Sequence, residues 1–512
     1  MTNTKNECKI RLLDEVTAVV LGLNGDHLAA LCKKYAVNAP NYFFNPLYKL
    51  GRWDGKVQYF SPAGRTYVYL IDEILPYIAN LGYTITIEDL RASVKIIPEP
   101  ITADMYAHII HRETGEPTVL RDYQVNGVNE LLAHGYGILK ACTGAGKTIL
   151  AAALVDSYGK HGIKTLTIVP SQDLIRNTKK DYEYYGLDVG EYSGTHKDIE
   201  HLHVVSTWQA LKNHTELVKQ FQLVLVDEAH GAKGTQLKNI LVNSSAGILY
   251  RFGVTGTMPK EPSDLMTINV ALGPIRAVVE AHDLMERKIL AQLNIDIIQL
   301  VENLADEYET EEAERKRIRM AGQTYTQFKD GYFPDFVTEK SYLHKNKTRI
   351  EWIADFLLAK QDKKHGNVLC FVDSISLGRQ IAKIIPGAIF VNGVDVKSAA
   401  KREEYYNLFR TRDDVIMIAT IHIAGTGLNI PRINEMVTVD LGKSFIRVIQ
   451  GIGRALRIAH DKTHVTVSDI CSDLKYSKKH LALRRTYYTE AKYVNKITKV
   501  EYDKQQTLDH SY

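Results

Sequence analysis

The stretch ILKACTGAGKTIL, residues 138–150, constrains this chain more than any other. An apolar run breaks into a small flexible loop carrying one lysine and one threonine, and then turns apolar again. Gly144 and Gly146 let backbone N–H groups face an anion at a helix N-terminus. Lys147 then reaches the β- and γ-phosphates of a nucleotide, and the Thr148 hydroxyl ligates Mg²⁺. Thr143, Gly144, Ala145, Gly146, Lys147 and Thr148 are the expected nucleotide contacts. A loop of this kind needs a buried strand before it and a helix after it, which demands a parallel sheet with crossover connections.

The surrounding pattern meets that demand. Residues 113–285 alternate short apolar runs (LLAHGYGILKA, KTLTIVP, LHVVSTW, FQLVLVDEAH, RFGVTGT) with helix-like segments, and from 345 the alternation resumes in NVLCFVDS, GAIFVNG, DVIMIAT, EMVTVDLG and THVTVSDI. The expected organisation is an N-terminal domain over 1–112, a first α/β domain over 113–285, a linker with a charged insertion over 286–344, and a second α/β domain with a basic extension over 345–512. Within the linker, NLADEYETEEAERKRIR reads as an exposed helix or mobile insertion.

Composition excludes several classes. No apolar run approaches the ~18 residues of a membrane span. The five cysteines are scattered without CxxC spacing, against a zinc site or a disulfide framework and in keeping with a reducing cytosol. A net charge of +4 over 512 residues means that any nucleic-acid surface is a local patch. A cytoplasmic protein without membrane contact is expected.

The second half of a phosphate site is a carboxylate at the end of a buried strand, and FQLVLVDEAH supplies it. Asp227 would hold the magnesium through water, and Glu228 would polarise the attacking water as general base. In QGIGRALR, Arg454 and Arg457 lie three apart and project from one helix face. Offered from a second domain, they would stabilise charge developing on the γ-phosphate.

Taken together, these motifs resemble those of the superfamily 2 helicases and translocases, in order from about 118 to 457. The resemblance implies two tandem RecA-like parallel-sheet domains with a small N-terminal α+β accessory domain, driven by ATP and Mg²⁺. Leu120-Arg121-Asp122-Tyr123-Gln124 looks like the adenine-reading motif, with Gln124 the base contact. Val169-Pro170-Ser171 and Ser206-Thr207-Trp208-Gln209 look like strand-contacting motifs, and so do Asp373, Ser374 and Thr420 in the second domain. His230, Thr255 and Thr257 occupy coupling positions, and Gly427 and Gln450 fall in nucleotide-facing ones. The chain departs from the pattern at Ala141, where glycine is commonest, at Asn429, where many relatives carry aspartate, and at Asn177, where glutamine is frequent.

Upstream, NYFFNPLYKLGRWDGKVQYF, residues 41–60, is similar to the accessory domain of the UvsW-type phage DNA helicases. What this implies is an ATP-dependent motor on single-stranded and branched duplex DNA, working as a monomer beside phage replication or recombination proteins in an infected bacterial host. Lys49, Arg52 and Lys56 are expected to meet phosphates; Tyr42, Phe43, Trp53 and Tyr59 either stack on bases or fill a small core. The C-terminal run of lysines, arginines and tyrosines from 471 reads equally as a nucleic-acid surface or as an amphipathic helix closing the second domain. An RNA helicase and the motor of a restriction-type complex are the alternatives.

Lys147→Ala is expected to lose ATP hydrolysis, whereas Glu228→Gln should bind ATP and barely turn it over. A nucleotide-binding titration run beside a phosphate-release assay separates the two.

Overall fold

The computed structural model describes residues 7–91, 95–112, 114–302, 333, 335–361, 366–396, 399–421, 433, 435–442 and 464–502. The chain divides into two units, Met1–Val279 and Glu280–Tyr512.

The N-terminal part of the first unit is built on strands β1 (Glu7–Leu12), β2 (Thr17–Leu21), β3 (Ala36–Asn38), β4 (Lys56–Gln58), β5 (Arg65–Tyr67) and β6 (Thr84–Asp89). Four of them form a sheet in the order β5-β2-β1-β6, and β3 and β4 make a separate antiparallel hairpin. Helices Gly25–Lys34 and Ile71–Asn80 supply Leu31, Ile71, Ile74 and Ile78 to a core with Cys8, Ile10, Ala18 and Val20 of the sheet. Asn24 caps the first helix by accepting from His27 N–H, and its last turn carries Lys33 and Lys34 against the negative end of the dipole. Sequence pattern sets this part off at residue 112, but it shares a unit with the first motor domain. Val270 and Met266 of helix Pro262–Leu272 belong to its core. The Tyr59 hydroxyl is buried 3.0 Å from the Ser263 carbonyl and 2.7 Å from Thr267 Oγ1. Tyr59 therefore packs in the core and offers no ring to a base.

The rest of the first unit is a seven-stranded sheet of β7 (Tyr136–Ala141), β8 (Thr165–Val169), β9 (Val189–Tyr192), β10 (His203–Thr207), β11 (Leu223–Asp227), β12 (Tyr250–Thr255) and β13 (Ile275–Val279), in the order β13-β7-β12-β11-β8-β10-β9. Every pairing is parallel. The inner strands are buried along almost their whole length, as a sheet covered on both faces requires. The two strands that apolar runs do not announce, β9 and β13, are the edges, and β13 is partly exposed along its length.

The second unit repeats the architecture with β14 (Gln292–Leu300), β15 (Val368–Val372), β16 (Ile389–Val391), β17 (Ile416–Thr420), β18 (Glu435–Val439), β19 (His464–Ser472) and β20 (Val494–Val500). The order is β16-β17-β15-β18-β19-β14-β20, again all parallel. Two expectations change here. The unit begins at Glu280 rather than near 345, and β14, which the sequence pattern assigns to a linker, runs between β19 and β20 with its second half buried. The charged stretch 303–319 lies outside the described residues.

Buried charges organise this unit. Arg349, fully buried, donates to both Asp440 oxygens at 2.8 and 2.7 Å and to Glu302 at 3.1 Å. Glu339, also fully buried, accepts from the Tyr476 and Ser477 N–H groups at 2.8 and 2.6 Å, capping helix Lys475–Glu490 from another element. Asp469 accepts from Arg484 Nε at 2.9 Å, from Arg484 Nη2 at 3.1 Å and from the Tyr488 hydroxyl at 2.9 Å. The C-terminal helix thus closes on the sheet through Leu481, Arg484 and Tyr488, while Lys475, Lys478, Lys479 and Arg485 stay exposed. Within the C-terminal basic run, Arg484 is a core residue.

Asp469→Ala strands the Arg484 charge in the interior, so the second unit is expected to lose about 3–5 kcal/mol. Chemical denaturation would show the loss as a lower midpoint.

Candidate nucleotide and nucleic-acid site

Parallel strands gather their chemistry at the carboxyl edge. In the order β7-β12-β11 the glycine-rich loop follows β7, Thr255 ends β12 and Asp227 ends β11, so the expected coupling residues lie between the two expected nucleotide motifs. Register carries this through, with Asp227 opposite Val254 and Thr255 opposite Lys140.

The loop turns through two left-handed glycines, Gly144 at φ 90° and Gly146 at φ 86°, and Gly146 caps helix Lys147–Gly159. Gln124 and Tyr123 hold the loop from behind. The Gln124 amide donates to the Ala145 carbonyl at 3.0 Å and its oxygen accepts from Arg121 N–H at 2.8 Å, while the Tyr123 hydroxyl donates to the same Ala145 carbonyl at 3.2 Å. Gln124 is therefore first a positioning residue for the loop backbone, a role the motif resemblance did not assign. Thr148 is exposed at the start of the helix and free to meet a ligand. Gly256 brings the coupling loop against the phosphate loop: a Cβ there would stand 3.3 Å from Lys147 Nζ and 3.7 Å from Thr143 Oγ1.

Glu228 adopts a left-handed φ of 50° directly after β11, and its N–H donates to Asp227 Oδ1 at 2.9 Å. The turn aims its carboxylate at Thr255, whose hydroxyl lies 3.3 Å from Glu228 Oε2 and 2.9 Å from the Thr257 carbonyl. His230 Nδ1 is 3.1 Å from the same hydroxyl and 3.3 Å from Glu228 Oε2. Glu228, His230 and Thr255 thus form one polar knot beside Lys147. The Thr257 hydroxyl, buried next to it, has no hydrogen-bond partner among the described residues.

Burial raises the Asp227 carboxyl above its usual range, and the neighbouring Glu228 charge adds to that; Lys147 and His230 pull the other way. Part of the side chain still meets solvent although protein surrounds it. A carboxylate raised by burial and a like charge suits a divalent cation, which would supply the missing positive charge. Asp227 with the Thr148 hydroxyl offers few protein oxygens, as Mg²⁺ accepts when phosphates and water complete its shell.

The expected strand-contact residues have local duties. Ser171 caps helix Gln172–Tyr184 by accepting from Leu174 N–H at 3.4 Å, and Thr207 caps helix Trp208–Leu211 by accepting from Ala210 N–H at 3.4 Å. Trp208 packs against the domain core. Both motifs sit on one edge, because β8 and β10 are neighbours with Val169 opposite Thr207. In the second unit Asp373 pairs with Lys340 at 2.6 Å. Ser374 caps helix Ile375–Ile384 and lies 3.1 Å from His344 Nδ1, and Thr420 is buried at the end of β17. In the N-terminal part Lys49 and Arg52 are exposed and Lys56 half-buried, none in an ion pair among the described residues. Gly427, Gln450, Arg454 and Arg457 lie outside the described residues.

Comparison with known proteins follows the same division. Residues 118–260 match the family model for the type III restriction enzyme res subunit, and residues 348–459 match the helicase conserved C-terminal domain. The ATP-dependent DNA helicase uvsW of Enterobacteria phage T4 is 26% identical over 472 residues, covering 88% of each chain. The DNA 3'-5' translocase XPB2 of Sulfurisphaera tokodaii is 31% identical over 159 residues, 30% of this chain and 35% of the relative. Among solved structures, the ATP-dependent type ISP restriction-modification enzyme LlaBIII bound to DNA matches with a TM-score of 0.54 at 14% identity, over 85% of this chain and 36% of that one. That likeness is one of fold.

Thr255→Val removes the hydroxyl that holds Glu228 and His230 together. The turnover rate for ATP is expected to fall roughly 10²-fold with KM little changed, as steady-state phosphate release would show.

Proposed function

We propose that this chain, a superfamily 2 ATP-dependent helicase related to the UvsW type, is a DNA motor that remodels branched structures: migrating branches and unwinding forks or R-loops during phage replication, recombination and repair. The observation that carries the reading is the knot of Glu228, His230 and Thr255 beside the phosphate loop, in a chain whose likeness to a phage DNA helicase extends over nearly its whole length.

In this reading Lys147 and the loop N–H groups bind the β- and γ-phosphates of ATP, with Gln124 and Tyr123 fixing the loop. Mg²⁺, held by Asp227 and Thr148, would neutralise phosphate charge. Glu228, oriented by Thr255 and His230, takes the proton of the attacking water. Thr255 and Thr257 read the state of that carboxylate and pass it to helix Pro262–Leu272, on which the N-terminal part is seated through Tyr59. Arg454 and Arg457 are assigned the role of stabilising the departing γ-phosphoryl, and Gly427 and Gln450 that of contacting nucleotide. Lys49, Arg52 and Lys56, without an ion pair among the described residues, are assigned to DNA phosphates. Ser171, Thr207, Trp208, Asp373, Ser374 and Thr420 would shape the strand path through the elements that they cap or end.

The match of residues 118–260 to a restriction res subunit favours a second reading, a motor that works with a nuclease partner. Affinity capture from infected cells that returned a nuclease in stoichiometric amount would favour it.

ATP hydrolysis measured without nucleic acid and with single-stranded DNA, duplex DNA, a four-way DNA junction and matched RNA tests the main reading. Stimulation is expected to be highest with the junction. Equal or greater stimulation by RNA would make the chain an RNA helicase.

A further inference from the structure

Hairpin β3–β4 carries at its tip the most concentrated exposed apolar surface of the N-terminal part. Between Asn38 and Lys56 the chain makes a short 3₁₀ turn, Tyr42–Phe44, and one helical turn, Pro46–Lys49. On them Phe43 is 50% exposed, Phe44 67%, Leu47 50% and Leu50 66%. A loop that folded merely to bury its apolar residues would not turn four of its largest outward.

The tip is also held in shape. Asn45 Oδ1 accepts from Leu47 N–H at 2.9 Å, Arg52 N–H donates to the Leu47 carbonyl at 2.8 Å, and the Trp53 indole donates to the Lys56 carbonyl at 3.0 Å. Tyr42 packs edge-on against Tyr48, with ring centroids 4.9 Å apart, and lies over Gly55, where a Cβ would come within 2.5 Å of the Tyr42 ring. Tyr42 and Trp53 therefore form the base of the tip and Phe43 and Phe44 its outer face. The two phenylalanine rings lie 4.4 Å apart.

Charge selects the partner. From 39 to 56 the one acidic residue is Asp54, and its Oδ1 is occupied by Lys56 N–H at 3.0 Å. Among the described residues Lys49, Arg52 and Lys56 carry no ion pair, and the first two are exposed beside the apolar face. Uncompensated cations bordering an aromatic face suit nucleic acid, whose phosphates flank stacking bases. An intact duplex buries its base faces, so a broad apolar surface finds a flat counterpart only where stacking ends. A branch point provides such an end, and apolar wedges are known to open base steps.

We propose that the β3–β4 tip caps the terminal base pair at a DNA branch point, with Phe43, Phe44, Leu47 and Leu50 against the base face and Lys49 and Arg52 on the flanking phosphates. This inference rests on the branched-DNA reading. On each cycle the tip would hold the opened pair from re-stacking while the motor draws one strand away.

The test uses the full chain and forked DNA carrying 2-aminopurine either at the branch point or ten pairs inside the duplex. Wild-type protein is expected to raise fluorescence several-fold at the branch point and not at the inner position. F43A/F44A should lose most of that rise while keeping the wild-type melting curve, and F43W/F44W should restore it. Absence of a branch-point signal from wild-type protein whose ATPase is stimulated by the same fork would overturn the inference and leave the branched-DNA reading standing. If no DNA stimulates the ATPase, the reading falls and the inference with it. An F43A/F44A variant that keeps the full branch-point signal but changes its sedimentation would overturn the inference in favour of a protein-binding surface.

Discussion

The candidate nucleotide chemistry of the first unit depends on strand order in one parallel sheet. Because β12 lies between β7 and β11, the residues that end it stand between the phosphate loop and the Asp227-Glu228 pair. A single threonine can then touch the general-base candidate, and a glycine can lie against Lys147. Hydrogen bonding in a parallel sheet leaves the strand ends as the place where loops converge, and burial on both faces fills the strand interiors with apolar residues. Polar chemistry is pushed to one edge.

The second unit solves a different problem with buried charge. Arg349, Arg484 and Glu339 are each fully or almost fully buried, and each is met by specific partners distant in sequence. Removing a charge from water is costly, and the return comes only with good geometry. Such contacts discriminate among arrangements: Arg349 joins Glu302 to Asp440, and Glu339 fixes where helix Lys475–Glu490 begins. They set the register of a unit assembled from segments on either side of a charged insertion.

The N-terminal part divides its aromatics by depth. Tyr35, Tyr59 and Phe60 are buried, and Tyr59 also anchors helix Pro262–Leu272, which starts five residues after the coupling motif. Phe43 and Phe44 face outward. One composition thus serves both a core seated on helix Pro262–Leu272 and an outer surface at the hairpin tip.

The sequence by itself determined the motor's class. The phosphate loop, the acidic pair ending an apolar strand, and repeated apolar runs require parallel sheets, because a Gly-rich phosphate loop works only between a buried strand and a helix N-terminus. Those signals are local, and so the strand, loop and helix that carry Lys147 and the strand end that carries Asp227 and Glu228 were legible. Tertiary structure alone decided what depends on neighbours far apart in the chain. The run containing β14 reads as linker until β19 and β20 are found on either side of it. That the Gln124 amide also holds the Ala145 carbonyl shows only once the loop is folded. That Ser171 and Thr207 each cap a helix is visible only in the fold. Tyr59 and Phe43 are both aromatics in one basic segment, and only packing separates the core residue from the exposed one. The physical reason is the same in each case: a side chain's donors, acceptors and apolar area are fixed by its type, but which of them remain available is fixed by what folds against them.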